Sequence, residues 1–370
     1  MIPTRFRGRL NRVLIVRLSA IGDTILTTPL LAAIKDQMPE VEVDWVVEPK
    51  SRAIVEMCQG VSRIFTFPRF PGFSSLLHPA RMAEFMRQRA IVMPEMRDRH
   101  YDVALAVQDR LKSGLALLAS NARSKVGWRL GDAEEANWAF TTDWIAMPRT
   151  GHVVDRWLTM AHAIGCKPAP ARFPISPPEE AMERMGDYLN EVRRSGPVII
   201  MNAGSSKADR RWSAVRLAEA SKMANQDFGA VSIFTWGNEV ERAVVEEAVT
   251  ESDGSAIECK ETTLYTLAAL VAQADAFVGG DTGPMHLAAA LGTPVVGIFG
   301  ASDPERTGPY GSNNVCVNRF PQIQAEGMLA MDSITADDVY AKLAEILGRT
   351  RTKTIAAEAD SLMAPGLCQG

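Results

Sequence analysis

The chain has 370 residues, of which 46% are hydrophobic and 23% charged, and its formal net charge is −4. These proportions are those of an ordinary globular protein and exclude disordered, fibrous and small disulfide-rich chains. The five cysteines are scattered and include no C-x-x-C pair, which argues against a zinc ribbon and favours a reducing compartment. The apolar run near the start is too short for an export signal, so we expect a cytoplasmic protein.

The charge is divided unevenly along the chain. Residues 1–167 carry 23 Lys+Arg and 17 Asp+Glu, a net charge of +6, whereas residues 168–370 carry 17 and 27, a net charge of −10. This division suggests that the first half meets an anionic partner. Surface charge that varies without any partner would give the same count, and on charge alone the two interpretations are equal.

The first half begins with a β-α-β pattern. An apolar strand over 12–18 is followed by a short polar turn, a helix over 24–38 and a second strand over 41–47. This order is typical of a parallel sheet. The pattern recurs with a strand over 101–108 and a helix that begins near Leu111.

A proline-rich segment separates the two halves. Five prolines lie between residues 168 and 180, and proline removes backbone donors and stiffens the chain. We therefore expect an N-terminal domain over 1–167, a linker over 168–180, a C-terminal domain over 181–348 and a flexible tail over 349–370.

The second half repeats the alternation of strands and helices. We expect strands over 197–202, 230–235, 276–279 and 294–299, and helices over 213–225, 239–249 and 284–291, with a last helix over 335–347 that belongs to this domain or packs back on the first. The sequence thus predicts two Rossmann-like α/β domains with parallel sheets, and a site in the cleft between them, at the carboxyl ends of the strands.

Several motifs that mark particular cofactors or metals are absent from the sequence. No two glycines are spaced G-x-G, and neither a G-x-x-x-x-G-K-[ST] phosphate loop nor an H-E-x-x-H helix is present. No two aspartates are spaced D-x-D, the arrangement that holds a divalent metal on a nucleotide sugar. We expect neither a cofactor nor a metal at the site, and no nucleic-acid partner.

Three loops at strand ends carry the candidate chemistry. In the first, two glycines end a strand, and Thr282 and Gly283 precede Pro284, a residue suited to the start of a helix. Free amides at a helix start bind anions, so a diphosphate could bind here. An ordinary helix capped by Asp281 or Thr282 is the alternative.

The second loop combines hydroxyl and basic residues after the strand over 197–202. Ser205 and Ser206 can donate hydrogen bonds to phosphate oxygens, and Arg210 and Arg211 can grip phosphate with two parallel bonds each. A solvated basic loop is the alternative. The position at a strand end, in the same domain as the first loop, favours phosphate binding.

The third loop follows the first strand and ends in Asp23. A carboxylate that projects there into the interdomain cleft would suit a general base. The alternative is a cap for the helix that begins at Thr24.

These three loops together resemble glycosyltransferase family 9, the ADP-heptose:lipopolysaccharide heptosyltransferases. The family opening S-x-x-G-D is matched by 19–23 and its signature D-[ST]-G-x-x-H by 281–286, whereas its K-x-W-P reads R-R-W-S at 210–213. The resemblance covers most of residues 12–348. It implies a GT-B fold, with two domains facing across a cleft, and an inverting, metal-independent transfer of heptose from ADP-heptose to the lipopolysaccharide inner core.

The resemblance also implies roles for particular residues. Asp23 would deprotonate the acceptor hydroxyl. The donor diphosphate would meet Ser205, Ser206, Arg210, Arg211, Thr282, Gly283 and Pro284. The ribose and adenine would lie near Thr262 and near Glu239 or Glu241. Asp281 would position the donor sugar or cap a helix, and His286 would contact a ligand or pack in the core.

The acceptor is expected on the first domain. Residues 67–99 alternate arginines, Arg69 among them, with phenylalanines, which suits a phosphorylated lipid A–core acceptor at a membrane surface. By family resemblance Lys112, Ser113 and Arg129 would hold its anionic groups. A solvated helix face is the alternative for any one arginine. These features predict a peripheral enzyme on the cytoplasmic face of the inner membrane.

Two other functions remain open at this point. Another GT-B enzyme could transfer a different sugar from a different nucleotide, or to a different acceptor. A non-catalytic relative could bind glycans or lipid.

Overall fold

The computed structural model describes residues 10–69, 78–132, 135–204, 211–321 and 330–363. The chain divides into two compact units, Met1–Pro178 and Glu179–Gly370. Each unit has a six-stranded sheet in which the strands run parallel, with helices around it. The predicted α/β fold, with a parallel sheet in each half, is confirmed.

The first unit is built around its central strand β1. The sheet order is β3-β2-β1-β4-β5-β6. The strands are β1 (Arg12–Val16), β2 (Glu42–Val47), β3 (Arg63–Thr66), β4 (Val103–Ala106), β5 (Ser124–Trp128) and β6 (Asp143–Ile145). The helices are α1 (Ile21–Gln37), α2 (Pro49–Glu56), α3 (Pro79–Asp98), α4 (Leu111–Ala119) and α5 (Val153–Ala163), with a 3-10 helix over Ala136–Phe140.

The second unit repeats this architecture. The sheet order is β12-β11-β10-β7-β8-β9. The strands are β7 (Val198–Asn202), β8 (Val231–Thr235), β9 (Ala256–Glu258), β10 (Ala276–Gly280), β11 (Val295–Phe299) and β12 (Val315–Asn318). The helices are α6 (Glu179–Val192), α7 (Ala214–Phe228), α8 (Glu239–Glu251), α9 (Leu264–Ala272), α10 (Gly283–Leu291), α11 (Pro304–Thr307) and α12 (Ala336–Met363), with a 3-10 helix over Ala330–Ser333.

The central strands are buried on both faces. Val13, Leu14, Ile15 and Val16 of β1 are all inaccessible to solvent, although their side chains point alternately to opposite sides of the sheet. Parallel sheets require this because helices cover both faces, and their strands therefore read as continuous apolar runs.

The last helix is longer than the sequence analysis predicted. It begins at Ala336 and continues to Met363, through residues 349–363 that were expected to form a flexible tail. That segment contains neither glycine nor proline, so nothing in it interrupts a helix. Val339, Leu343 and Ile346 are buried in the core of the second unit, which fixes the first turns of the helix there.

Each sheet has one place where neighbouring strands are far apart in the chain. These pairs are β1 with β4 and β7 with β10. In open α/β sheets, ligands bind beside the carboxyl ends of such a pair because the connections there diverge. Asp23 follows β1, and Thr282 follows β10, so two of the predicted loops lie at these places.

None of the helices in the described ranges has both the length and the apolar character that crossing a bilayer requires.

A buried ionic network stabilises the first unit. Asp44 of β2 is fully buried, and its Oδ2 lies 2.8 Å from Arg99 Nε. Arg99 also contacts Glu42, with 2.6 Å between Nη2 and Oε2. The Tyr101 hydroxyl donates to Asp44 Oδ2 at 2.8 Å. Burial, together with the neighbouring charge of Asp44, raises the pKa of the Tyr101 phenol above its ordinary value.

The Arg99→Met variant tests this network. Without the guanidinium, the buried Asp44 carboxylate retains the Tyr101 hydroxyl but loses its ion pair, and we expect the free energy of unfolding to fall by about 3–5 kcal/mol. Urea unfolding measures the change. Arg87→Met is the control, because it removes an exposed pair with Glu84 and should cost less than about 1 kcal/mol. Equal losses in the two variants would show that the network does not stabilise the unit.

Candidate active site

Asp23 lies in the first turn of α1, and one of its carboxylate oxygens is held. Oδ2 is 2.7 Å from Arg17 Nη2 and accepts a hydrogen bond from the Ala20 amide at 3.3 Å. Oδ1 has no partner among the described residues, and the side chain is 47% exposed. Ala20, not Asp23, is the N-cap of the helix, which begins three residues earlier than predicted. One oxygen is therefore oriented by the protein while the other faces outward.

A second ion pair lies at the same edge of the sheet. Lys112 Nζ is 2.7 Å from Glu48 Oε1 and 2.5 Å from Ser19 Oγ. Glu48 directly follows β2 and is almost fully buried. Gln108 follows β4, and its amide accepts from the Leu18 amide and donates to the Ser19 carbonyl, both at 3.2 Å. The ammonium of Lys112, predicted to hold the acceptor, is thus already paired with a carboxylate.

The structure gives Ser113 a different role from the predicted acceptor contact. Its side chain is fully buried in α4. Its hydroxyl lies 2.7 Å from the Gln108 carbonyl and 2.5 Å from the Arg110 carbonyl, and it accepts from Asn137 Nδ2 at 2.9 Å. These bonds orient Ser113 toward the start of its own helix, so the hydroxyl fixes the loop after β4 instead of facing a ligand.

The other two predicted acceptor residues lie apart from this cluster. Arg129 follows β5, is 58% exposed and has its Nε 2.8 Å from Asp132 Oδ2. A hydrogen bond from the Met147 amide, supported by Arg129, lowers the pKa of Asp132. Arg69 is exposed at the end of a described range. Within the described chain, neither arginine makes an ion pair with the groups around Asp23.

In the second unit, Asn202 connects the ends of three strands. It is the last residue of β7, and its Nδ2 donates to the Gly204 carbonyl at 2.9 Å and to Thr282 Oγ1 at 3.4 Å. Its Oδ1 accepts from Thr235 Oγ1, at the end of β8, at 3.2 Å. The sequence analysis did not identify Asn202 as a site residue. Its position after four apolar strand residues was the available signal.

The start of α10 has the arrangement that an anion site needs. Thr282 is the N-cap, but its hydroxyl accepts no bond from the helix amides, and Gly283 and Pro284 form the first turn. All three residues are half-buried at the end of β10. Because the Thr282 side chain does not cap this turn, the first-turn amides can meet a ligand. Thr282 occupies the N-cap position, as the alternative interpretation expected of Asp281 or Thr282, but its side chain makes no bond to the helix amides.

Asp281 is oriented by two residues. Its Oδ1 lies 3.2 Å from His286 Nε2, and Thr307 Oγ1 lies 3.5 Å from its Oδ2. His286 is buried within α10, and its Nδ1 has no hydrogen-bond partner in the described chain. The histidine therefore contacts Asp281 directly, and Thr307 is a further residue that the sequence analysis missed.

The structure distinguishes the two glutamates of α8. Glu241 is buried, and its Oε2 accepts from the Gly237 amide at 2.8 Å. It also lies against Gly204, where an added Cβ would be 2.3 Å from Oε2. The Glu239 side chain is 82% exposed. Glu241 is thus the glutamate at the end of β7.

The remaining predicted residues are placed as follows. Thr262 is half-buried in the loop between β9 and α9, at the same edge of the sheet. Arg211 is half-buried just before α7. Ser205, Ser206 and Arg210 lie outside the described residues. Among the residues that are described, no three His, Cys, Asp or Glu side chains are grouped as metal ligands.

The contact between Gly204 and Glu241 gives a test of this geometry. Gly204→Ala should lower the free energy of unfolding by about 1–3 kcal/mol, because the new methyl group would overlap the carboxylate. The loss should disappear when Glu241→Ala is the background. Gly348→Ala, within α12, is the control: a Cβ there meets open space and favours the helix, so this variant should be no less stable than wild type. Thermal unfolding measures Gly204→Ala, Glu241→Ala, the double variant and Gly348→Ala, and an unchanged stability of Gly204→Ala would contradict the contact.

Comparison with known proteins identifies the family. Residues 89–331, well over half of the chain, match the sequence model of glycosyltransferase family 9 (heptosyltransferase). The lipopolysaccharide core heptosyltransferase OpsX of Haemophilus influenzae is 24% identical over 310 residues, covering 83% of this chain and 84% of that protein. Lipopolysaccharide heptosyltransferase 1 of Pseudomonas aeruginosa is 25% identical over 317 residues, covering 82% of both proteins.

Solved structures share the fold. A family 9 glycosyl transferase from Veillonella parvula superposes with a TM-score of 0.76 at 19% identity, covering 92% of this chain and 97% of that chain. The E. coli heptosyltransferase WaaC with ADP gives 0.75 at 21% identity, covering 90% and 99%. The two parallel sheets and these superpositions show that the fold is GT-B, and the match of the family model over residues 89–331 shows that the chain belongs to glycosyltransferase family 9.

Proposed function

We propose that this enzyme transfers heptose from ADP-heptose to the inner core of a lipopolysaccharide, with inversion at the anomeric carbon and without a metal. The geometry of Asp23 carries the proposal, because one oxygen is held by Arg17 and the other is open at the end of β1. The relatives named as lipopolysaccharide heptosyltransferases support the sugar and the acceptor.

The proposed reaction is a single displacement. Asp23 Oδ1 takes the proton of an acceptor hydroxyl while the hydroxyl oxygen attacks the anomeric carbon of the donor. The bond between that carbon and the diphosphate breaks, and its electron pair leaves with ADP. Attack opposite the leaving group inverts the configuration, and no covalent intermediate with the enzyme forms.

The leaving diphosphate needs donors that are in place before charge develops. The first-turn amides of α10 supply such donors, and we assign the same role to Arg210, Arg211, Ser205 and Ser206. Preorganised groups of this kind lower the barrier more than mobile ones because they pay no cost of reorientation during the reaction.

Two acidic residues complete the donor site in this proposal. Glu241, buried beside Gly204, would accept hydrogen bonds from the ribose hydroxyls, with Thr262 near the adenine. Asp281, oriented by His286 and Thr307, would accept hydrogen bonds from the heptose. Carboxylates suit these roles since each oxygen can accept from a sugar hydroxyl.

The acceptor proposal uses the first unit. A phosphorylated lipid A–core molecule would be bound mainly by the exposed Arg129 and Arg69, because the ammonium of Lys112 is already paired with Glu48. Such an acceptor would place the enzyme on the cytoplasmic face of the inner membrane as a peripheral protein, and no nucleic acid takes part.

The direct test is turnover with defined substrates. Purified enzyme is incubated with ADP-heptose and a heptose-deficient lipopolysaccharide, with and without EDTA, and the product is analysed by mass spectrometry and by NMR of the new anomeric centre. Heptose addition with inverted configuration, undiminished by EDTA, is the expected result. Loss of turnover in EDTA would overturn the metal-independent mechanism. Thermal unfolding in the presence of nucleotides tests the donor. If UDP, GDP or CMP stabilises the enzyme and ADP does not, the proposal of ADP-heptose as donor is wrong.

Replacement of Asp23, the proposed general base, should lower kcat. For Asp23→Ala we expect kcat to fall by about 10²- to 10⁴-fold, the usual contribution of a general base, with ADP affinity nearly unchanged. Steady-state kinetics and calorimetry with ADP separate the two quantities. Near-normal turnover would show that Asp23 serves only the helix start.

The two glutamates of α8 form a matched pair of variants. Glu241→Gln should weaken ADP binding by about 10-fold, because charge-assisted bonds to the ribose become neutral ones. Glu239→Gln should leave the affinity within about 2-fold, since that side chain is exposed. Calorimetric titration with ADP measures both, and equal affinities would contradict the assignment of Glu241.

A further inference from the structure

Arg17 is a cation in an unusual place. It directly follows β1, and only 6% of the residue is exposed. Burying a guanidinium is costly unless its donors are paired. Its Nη2 is 2.7 Å from Asp23 Oδ2, yet its Nε is buried without a partner in the described part of the chain. A half-exposed partner together with an unpaired buried donor contributes little to stability, so the position of Arg17 needs another explanation.

Aromatic side chains hold Arg17 in this position. The guanidinium carbon lies 4.6 Å from the centre of the Trp157 ring, within the range of a cation–π interaction. Trp157 is buried on α5, a helix that packs against α1. The backbone carbonyl of Arg17 accepts from Trp45 Nε1 at 3.2 Å. The strand end and the guanidinium plane are therefore both fixed before any ligand arrives.

The contacts of Asp23 determine which of its two carboxylate oxygens is open. Arg17 and the Ala20 amide both approach Oδ2. With that oxygen occupied, the carboxylate can rotate little about its own axis, and Oδ1 faces outward. Misplacement of a reacting group by about 1 Å can cost on the order of 10²-fold in rate.

We infer that Arg17, stacked on Trp157, is a positioning residue that orients the carboxylate of Asp23 for proton transfer. The inference rests on the proposed function, in which Asp23 is the base. Arg17 does not touch the substrate; it acts through Asp23 alone.

A control for the loss of an arginine–carboxylate pair lies at the other end of β1. Arg12, at the opposite end of β1, has its Nε 2.8 Å from Glu42 Oε2 and is also an arginine paired with a half-exposed carboxylate. It is remote from Asp23. Arg12→Met should therefore report what the loss of an arginine pair on β1 does to folding, without an effect on Asp23.

The experiment is a double-mutant cycle with ADP-heptose and heptose-deficient lipopolysaccharide. Arg17→Met should lower kcat by about 10- to 100-fold while KM for ADP-heptose stays within about 2-fold. Arg17→Lys, which keeps the charge but loses the planar stack, should recover part of the rate. Arg12→Met should retain wild-type kcat. In the Asp23→Asn background, Arg17→Met should lower kcat no further, because the residue that it orients is already gone.

The outcomes separate the two proposals. If Asp23→Asn keeps wild-type kcat, the base assignment fails and this inference fails with it. If Asp23→Asn is slow but Arg17→Met is as fast as wild type, only the role of Arg17 is overturned. Multiplicative losses in the double variant would also overturn it, since they indicate an effect that does not pass through Asp23. Thermal unfolding of each variant confirms that the compared proteins are folded.

Discussion

Parallel pairing is the constraint on which the candidate residues of each unit depend. Because all strands of a sheet run the same way, their carboxyl ends meet at one edge, and the loops that follow them are brought together whatever their distance in the chain. In each unit the first strand pairs with one that follows about 80 to 90 residues later, β1 with β4 and β7 with β10. The connections diverge at these pairs, so polar groups can face solvent there while the strands behind them remain dry.

This arrangement explains why the polar side chains of the site are held mainly by one another. Asn202 is tied to Thr235 and Thr282, and Asp281 to His286 and Thr307, each across two or more segments of chain. A group that is fixed from several elements keeps its orientation when substrate arrives. Preorganisation of this kind is what electrostatic stabilisation of a transition state requires.

The sequence predicted the strands and the loops well because their signals are local. Apolar runs marked the central strands, and the residues around Asp23 and Thr282 marked two of the loops. Glu48, Asn202 and Thr307 were missed because their partners lie 26 to 80 residues away, and only the sheet brings them together. The choice between Glu239 and Glu241 stayed open, and the burial of Ser113 was not foreseen, for another reason. Helical phase decides which residues face the site, and a shift of two positions turns a side chain by about 200°.

The ion pairs at the carboxyl ends of the strands change how the excess of basic residues in the first half is interpreted. At this edge of the sheet Arg17 is paired with Asp23, and Lys112 with Glu48, so an anionic acceptor would meet compensated charges there. Arg129 differs from both. It is exposed, and its pair with Asp132 uses only Nε, which leaves the two terminal nitrogens without a partner among the described residues. Two parallel donors are what a carboxylate or phosphate needs for a bidentate contact. Recognition of an anionic acceptor therefore depends on which nitrogens remain open, not on the number of basic residues.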